Sequence, residues 1–110
     1  MNRPRMSAAA SSLLRILLRR SELPADRILL THWISTDWQS LTFSGERHQA
    51  GFRVTGPGAA EAVAQWLDGI EEVDLPLGRC FVAEIGLSAE PAVQNDGSVL
   101  VELEALTLED

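Results

Sequence analysis

The chain has 110 residues and a formal net charge of −7, and 45% of its residues are hydrophobic. This is the length of one domain, which excludes a two-domain enzyme with a cleft between its halves for this chain alone. The hydrophobic content excludes an intrinsically disordered tail. The acidic body argues against a nucleic-acid partner, because its field would repel a phosphate backbone.

The charge is divided unevenly along the chain. Residues 1–20 carry +5 and no acid, whereas residues 21–110 carry −12. No apolar run approaches the roughly 20 residues that a membrane-spanning helix needs, and Arg15 interrupts the only leucine-rich stretch that could resemble a secretory signal. A single cysteine, Cys80, cannot form an intrachain disulfide, which fits a reducing compartment. We therefore expect a cytoplasmic protein.

The first predicted element is a basic amphipathic helix over residues 7–20, after a frayed segment 1–6. Alanine and leucine favour a helix, and the leucines share one face, while Arg15 and Arg19 lie one turn apart on the opposite side. Three destinations are open for this helix: the sheet of its own domain, a second copy of the chain, or a membrane surface or another partner.

A hairpin is predicted next. Residues 26–35 can be a strand or a helix, and their β-branched and aromatic content favours a strand. Residues 38–44 and 48–55 flank Gly45-Glu46, and a glycine in a short connection between alternating segments is a hairpin signal. A two-residue turn at Gly45-Glu46 would pair Trp38 with Arg53 across the two strands.

The C-terminal half predicts a helix and two further strands. Residues 58–69 have the spacing of an amphipathic helix whose Trp66 faces the sheet. Residues 79–89 and 98–108 alternate like strands, and Asp96-Gly97 between them is a strong turn signal. The chain is thus predicted to form one α+β domain over residues 7–110, with an antiparallel sheet of four or five strands, two helices on one face, and the order α-β-β-β-α-β-β.

The densest polar cluster of the sequence is Glu46, Arg47 and His48, placed by this prediction at the hairpin tip. An acid, a guanidinium and an imidazole together could perform acid–base chemistry on a small ligand. No other catalytic motif is present. The candidate soft metal ligands His32, His48 and Cys80 are far apart in sequence, without the close pairs of zinc sites, so we expect neither a metal nor another cofactor.

The candidate binding residues are Trp38, Arg53, Arg15 and Arg19, because tryptophan and arginine are enriched at binding hot spots. Trp38 and Arg53 could also form a cation–π pair. We expect a non-catalytic interaction or ligand-binding module that acts as a homo-oligomer, a dimer above all, with an unidentified protein as another possible partner. The alternatives are a small enzyme using the Glu46–His48 cluster and a membrane-surface protein attached by helix 7–20.

Overall fold

The predicted α+β class is confirmed. The computed structural model describes residues 6–109, and within them all strands pair antiparallel in the order β1-β2-β5-β3, with the short β4 also paired to β5. The helices are α1 (Ala8–Ser21) and α2 (Ala59–Leu67), and a single 3₁₀ turn covers Ala25–Arg27; the strands are β1 (Ile28–Gln39), β2 (Ser44–Val54), β3 (Cys80–Leu87), β4 (Ala92–Val93) and β5 (Val99–Glu109).

Both helices pack on one face of the sheet, here called the covered face; the opposite face is called the open face. Strand alternation predicts an apolar side of β5, and this side is buried on the covered face. Phe52 of β2 meets Trp66 of α2 edge to face, with ring centroids 5.1 Å apart. The core of this layer includes Leu13, Leu17, Phe52, Val54, Val63, Trp66, Val99, Val101, Leu103 and Ala105.

The two helices also bind each other through polar groups. The indole Nε1–H of Trp66 donates to the carbonyl oxygen of Leu17 at 2.9 Å. Arg20, in the last turn of α1, donates to the carbonyl oxygens of Trp66 and Asp68 at 2.9 and 2.6 Å. These carbonyls belong to the C-terminal end of α2, which has no basic residue of its own in the last turn. Of the three surfaces on which helix 7–20 could pack, the sheet of its own domain is the one observed.

Ser7 fixes the beginning of α1. Its hydroxyl oxygen accepts the amide N–H of Ala10 at 3.1 Å, as an N-cap does, and its O–H donates to Glu46 Oε1 at 2.6 Å. The helix start is therefore tied to β2. The predicted frayed segment 1–6 lies outside the described residues except for Met6.

The predicted hairpin turn at Gly45-Glu46 is wrong. Residues 26–35 do enter a strand, at Ile28, but this strand continues to Gln39, and the chain reverses at residues 40–43. Ser40 forms this turn: its N–H donates to the Phe43 carbonyl at 2.8 Å, and its Oγ accepts the Phe43 N–H at 3.0 Å. One long strand thus replaces two predicted ones, and the observed order is α-β-β-α-β-β-β.

Two glycines within β2 have reasons to be glycine other than a turn. Gly45 lies within β2, where a Cβ atom would clash with the carbonyl oxygen of Thr107. Gly51, on the open face, lies beneath a side-chain contact in which His32 Nε2 is 3.1 Å from Glu102 Oε1. A glycine inside a strand often marks such a close approach.

We expect Gly45→Ala to destabilise the fold more than Gly51→Ala. The added methyl group at position 45 meets backbone that cannot rotate away, at a cost of about 2 kcal/mol. At position 51 it meets the ends of exposed side chains, which can move, so the cost stays below about 1 kcal/mol. Urea denaturation of the two variants checks this difference, and equal costs would contradict it.

Candidate functional site

The cluster Glu46, Arg47 and His48 does not converge. All three residues lie within β2, not at a hairpin tip, and successive side chains of a strand point to opposite faces. Glu46 and His48 face the helices, whereas Arg47 belongs to the open face, in register with Thr36 and Leu106. The predicted three-residue site therefore reduces to Glu46 and His48.

His48 lies at the centre of a hydrogen-bond chain that joins three strands and is buried on the side of β5. Its side chain is 1% exposed. Nδ1 is 2.8 Å from Ser35 Oγ and 3.3 Å from Trp33 Nε1, both on β1. Nε2 is 2.8 Å from Thr107 Oγ1 on β5, and the Thr107 hydroxyl is 3.4 Å from the Glu46 carbonyl oxygen.

These contacts favour the neutral tautomer of His48 that carries its proton on Nε2. An indole N–H can only donate, and that of Trp33 lies 3.0 Å from Ser35 Oγ and 3.3 Å from His48 Nδ1, so an Nδ1 without a proton avoids two facing donors and can also accept the Ser35 hydroxyl. Nε2–H then donates to Thr107, whose own O–H turns toward the Glu46 carbonyl. Burial lowers the pKa of the imidazole below its ordinary value, and the charge of Glu46 offsets part of this shift.

We expect His48→Ala to lower the free energy of unfolding by about 2–4 kcal/mol, because it leaves a cavity and removes the ring partner of the buried Thr107 hydroxyl. His32→Ala is the matched control. It removes the other histidine, whose exposed contact with Glu102 contributes at most about 1 kcal/mol. Chemical denaturation of both variants measures the difference, and a His48→Ala variant as stable as the control would contradict the buried network.

A cavity of about 630 Å³ lies at the end of the covered face, beneath the first turn of α1. Its size is within the range of small-ligand sites. Its lining includes the carboxylates of Asp37, Glu46 and Glu109, together with Cys80 and Thr107. Such a lining disfavours an anionic ligand. Thr107 connects the wall of the cavity to His48 behind it.

The predicted pairing of Trp38 with Arg53 is wrong. Trp38 is in register with Gly45, and Arg53 is instead in register with Leu29. Arg53 Nη2 lies 3.0 Å from Asp96 Oδ2, and its Nε donates to Ser98 at 3.2 Å. Hydrogen bonds from Ser98, followed by the charge of Arg53, hold the pKa of Asp96 below its ordinary value.

Trp38 lies instead at an aromatic end of the open face. The register places Trp38, Gly45, Leu108 and Phe81 in one row across four strands. Phe81 and Phe43 pack edge to face with centroids 6.3 Å apart. Both phenylalanines remain partly exposed.

Arg15 and Arg19 are exposed on α1. The leucines of the opposite side of this helix, Leu13 and Leu17, are each 1% exposed. A helix that binds a membrane surface inserts its apolar side, and here that side is already part of the core. The two arginines can therefore contact a partner only from the polar side of α1.

Sequence analysis missed the juxtaposition of Thr31, His32 and Glu102 on the open face. A β-bulge between Leu30 and His32 shifts the register of β1, and bulges re-aim side chains. Thr31 Oγ1 lies 3.2 Å from His32 Nδ1, and Glu102 lies on the other side of the ring. The glycine at position 51, inside a strand pattern, was the available signal.

Comparisons with family models, curated proteins and solved structures gave no match for this chain. Within residues 6–109, no helix is long and apolar enough to cross a membrane. In the same range, no three His, Cys, Asp or Glu side chains are grouped so as to hold a metal ion.

Proposed function

We propose that this domain is a non-catalytic interaction module that forms a homodimer by antiparallel pairing of β1 with β1 of a second copy. The observation that carries the proposal is the free edge of β1. This strand has 12 residues, and within the described chain it pairs with β2 alone. An edge strand presents a row of unpaired N–H and C=O groups, which is a template for another strand.

The other edge of the sheet is shorter and partly covered. β3 has 8 residues, and Pro76, in the segment that follows α2, forms a bridge to Phe81. Proline and a covering loop are common means of blocking an edge. The two edges therefore differ, and β1 is the one that offers a long run of backbone for pairing.

The side chains of β1 also favour a partner. Leu29 and Ile34 on the open face are 50% and 56% exposed, and Leu30 is 38% exposed. The strand contains neither arginine nor proline, and its only acid is Asp37. Natural edge strands usually carry charged residues or proline to prevent pairing with another strand. The bulge near His32 shortens the regular part of β1 to residues 32–39.

A second copy fits this edge by symmetry. A two-fold contact uses the same patch on both chains. Pairing centred on Ile34 places Ile34 opposite Ile34, His32 opposite Thr36 and Trp33 opposite Ser35 of the second copy. Every such pair shares a face of the sheet, as strand geometry requires. The two copies of Asp37 lie at opposite ends of the contact, so like charges stay apart.

We expect Ile34→Lys to raise the dimer dissociation constant at least about tenfold, which corresponds to 1.4 kcal/mol. It places a charge at the centre of the pairing, where the two copies face each other. The matched control is Leu41→Lys, the same change in charge and a similar change in size at the fully exposed turn beside β1. Light scattering over a concentration series, or native mass spectrometry, measures the effect.

The expected outcome is a dimer for the unaltered chain and for Leu41→Lys, and a monomer for Ile34→Lys. A chain that stays monomeric at all accessible concentrations would overturn the proposal, as would two variants with equal dissociation constants. In either case a different protein becomes the candidate partner that pairs with the edge of β1.

A cytoplasmic location is proposed with this function, from the single cysteine and the acidic body alone.

A further inference from the structure

We infer that Trp38 anchors the proposed dimer by packing on Leu29 of the second copy, and that the β-bulge at Thr31 brings these two side chains opposite each other. The inference rests on the proposed function, which it deepens by naming the apolar contact at the ends of the paired strands. A two-fold interface contains this contact twice.

The first observation is how β2 pairs with β1 across the bulge. Three successive residues of β2 lie opposite three residues of β1 that are not successive: Gly51 opposite His32, Phe52 opposite Leu30 and Arg53 opposite Leu29. Thr31 is therefore the extra residue of the bulge. A straight strand beside β1 advances by one residue where β1 advances by two. A second copy that pairs with the free edge of β1 meets the same irregularity.

The same count places Trp38 opposite Leu29 in the dimer. The pairing centred on Ile34 sets Thr36 of one copy opposite His32 of the other. Trp38 lies two residues further along the straight part of its strand. The residue that it meets beyond the bulge of the second copy is Leu29, just as Arg53 of β2 does within one chain.

The bulge also puts the two side chains on the same face of the sheet. Trp38 is in register with Gly45 and Leu29 with Arg53, and both of these β2 residues belong to the open face. A count that ignored the bulge would set Trp38 opposite Leu30, which belongs to the covered face. Side chains on opposite faces cannot pack together. The extra residue in β1 is thus a requirement for the contact.

Neither side chain has an apolar cross-strand neighbour on β2. The neighbour of Trp38 is Gly45, which has no side chain. The neighbour of Leu29 is Arg53, whose guanidinium lies 3.0 Å from Asp96. Leu29 is 50% exposed and Trp38 is half-buried. Cross-strand pairs of an aromatic and an aliphatic side chain stabilise antiparallel sheets, so the second copy supplies a contact that β2 does not.

The open-face side of the interface is then self-complementary. Ile34 meets Ile34 at the two-fold axis, and Trp38 meets Leu29 at both ends. On the covered face the pair at each end is Asp37 with Leu30, a carboxylate beside an apolar side chain. The apolar contact at the ends therefore lies on the open face alone, where tryptophan is the residue type most enriched at binding hot spots.

We expect Trp38→Ala to raise the dimer dissociation constant at least about fivefold, because both copies of the contact are lost. Leu29→Ala should act in the same direction. The double variant should raise the constant by less than the product of the two single effects, since both changes remove the same contact. The matched control is Phe81→Ala, which removes an aromatic side chain of the same row on β3, at the far edge of the sheet.

Sedimentation equilibrium over a concentration series measures these constants. Equal dissociation constants for Trp38→Ala and Phe81→Ala would overturn the inference. Single effects that simply multiply in the double variant would overturn it as well, because Trp38 and Leu29 would then act independently.

Disulfide trapping tests the register directly. Leu29→Cys and Trp38→Cys are combined in a chain that also carries Cys80→Ser. Within one chain these two positions are more than about 20 Å apart along β1, whereas a disulfide needs Cα atoms within about 7 Å. A disulfide between them can therefore only join two copies. The matched control combines Leu30→Cys with Trp38→Cys in the same background, where the two side chains point to opposite faces and cannot be bridged.

Mild oxidation is carried out at a protein concentration above the dissociation constant of Trp38→Ala, and covalent dimers are counted by non-reducing electrophoresis. We expect a covalent dimer from the Leu29→Cys pair and none from the Leu30→Cys pair. If the unaltered chain dimerises but the Leu29→Cys pair gives no covalent dimer, or the control gives as much, the inference fails and the proposed dimer stands. If the unaltered chain is monomeric at all accessible concentrations, the proposed function fails and the inference fails with it.

Discussion

The antiparallel pairing of β2 with β5 is the constraint on which the rest of the structure depends. The two strands pair without interruption from Gly45–Leu108 to Val54–Val99, and they present one continuous apolar surface to α1 and α2. Burial of this surface is the main source of stability. Because both helices pack on one face, no helix covers the open face or the edge of β1. The proposed interface is a consequence of that one-sided arrangement.

His48 is a polar residue placed in the middle of this apolar surface. A buried polar group is costly unless its hydrogen bonds are made, and no buried side-chain nitrogen or oxygen within the described residues lacks a partner. The network also specifies register. A slip of β2 by one residue would bring Arg47 beneath the helices and send His48 to the open face. The hydrogen bonds of His48 to Ser35 and Thr107 therefore select one pairing of the strands.

Much of the fold was predictable from local patterns. The helix over residues 7–20, the helix with Trp66, and the alternating strand 98–108 were recognised because their apolar residues recur at helical or strand spacing. The hairpin was placed wrongly because glycine was taken as a turn residue. Gly45 is needed for its close approach to Thr107 of another strand, whereas the turn itself relies on Ser40. The binding candidates, Trp38 and three arginines, were chosen for their residue type. The sequence does not show which side chains lie beside them in space.

The sequence by itself determined the α+β class, the two amphipathic helices and the acidic charge, since periodicity and composition depend only on the order and kind of residues. The tertiary structure decided which side chains meet. It separated Arg47 from His48, joined His48 to Ser35 and Thr107, and brought Glu102 to His32. The physical reason is that these contacts join strands far apart along the chain. They are set by register and by a bulge, and neither has a local signature in the residues that form them.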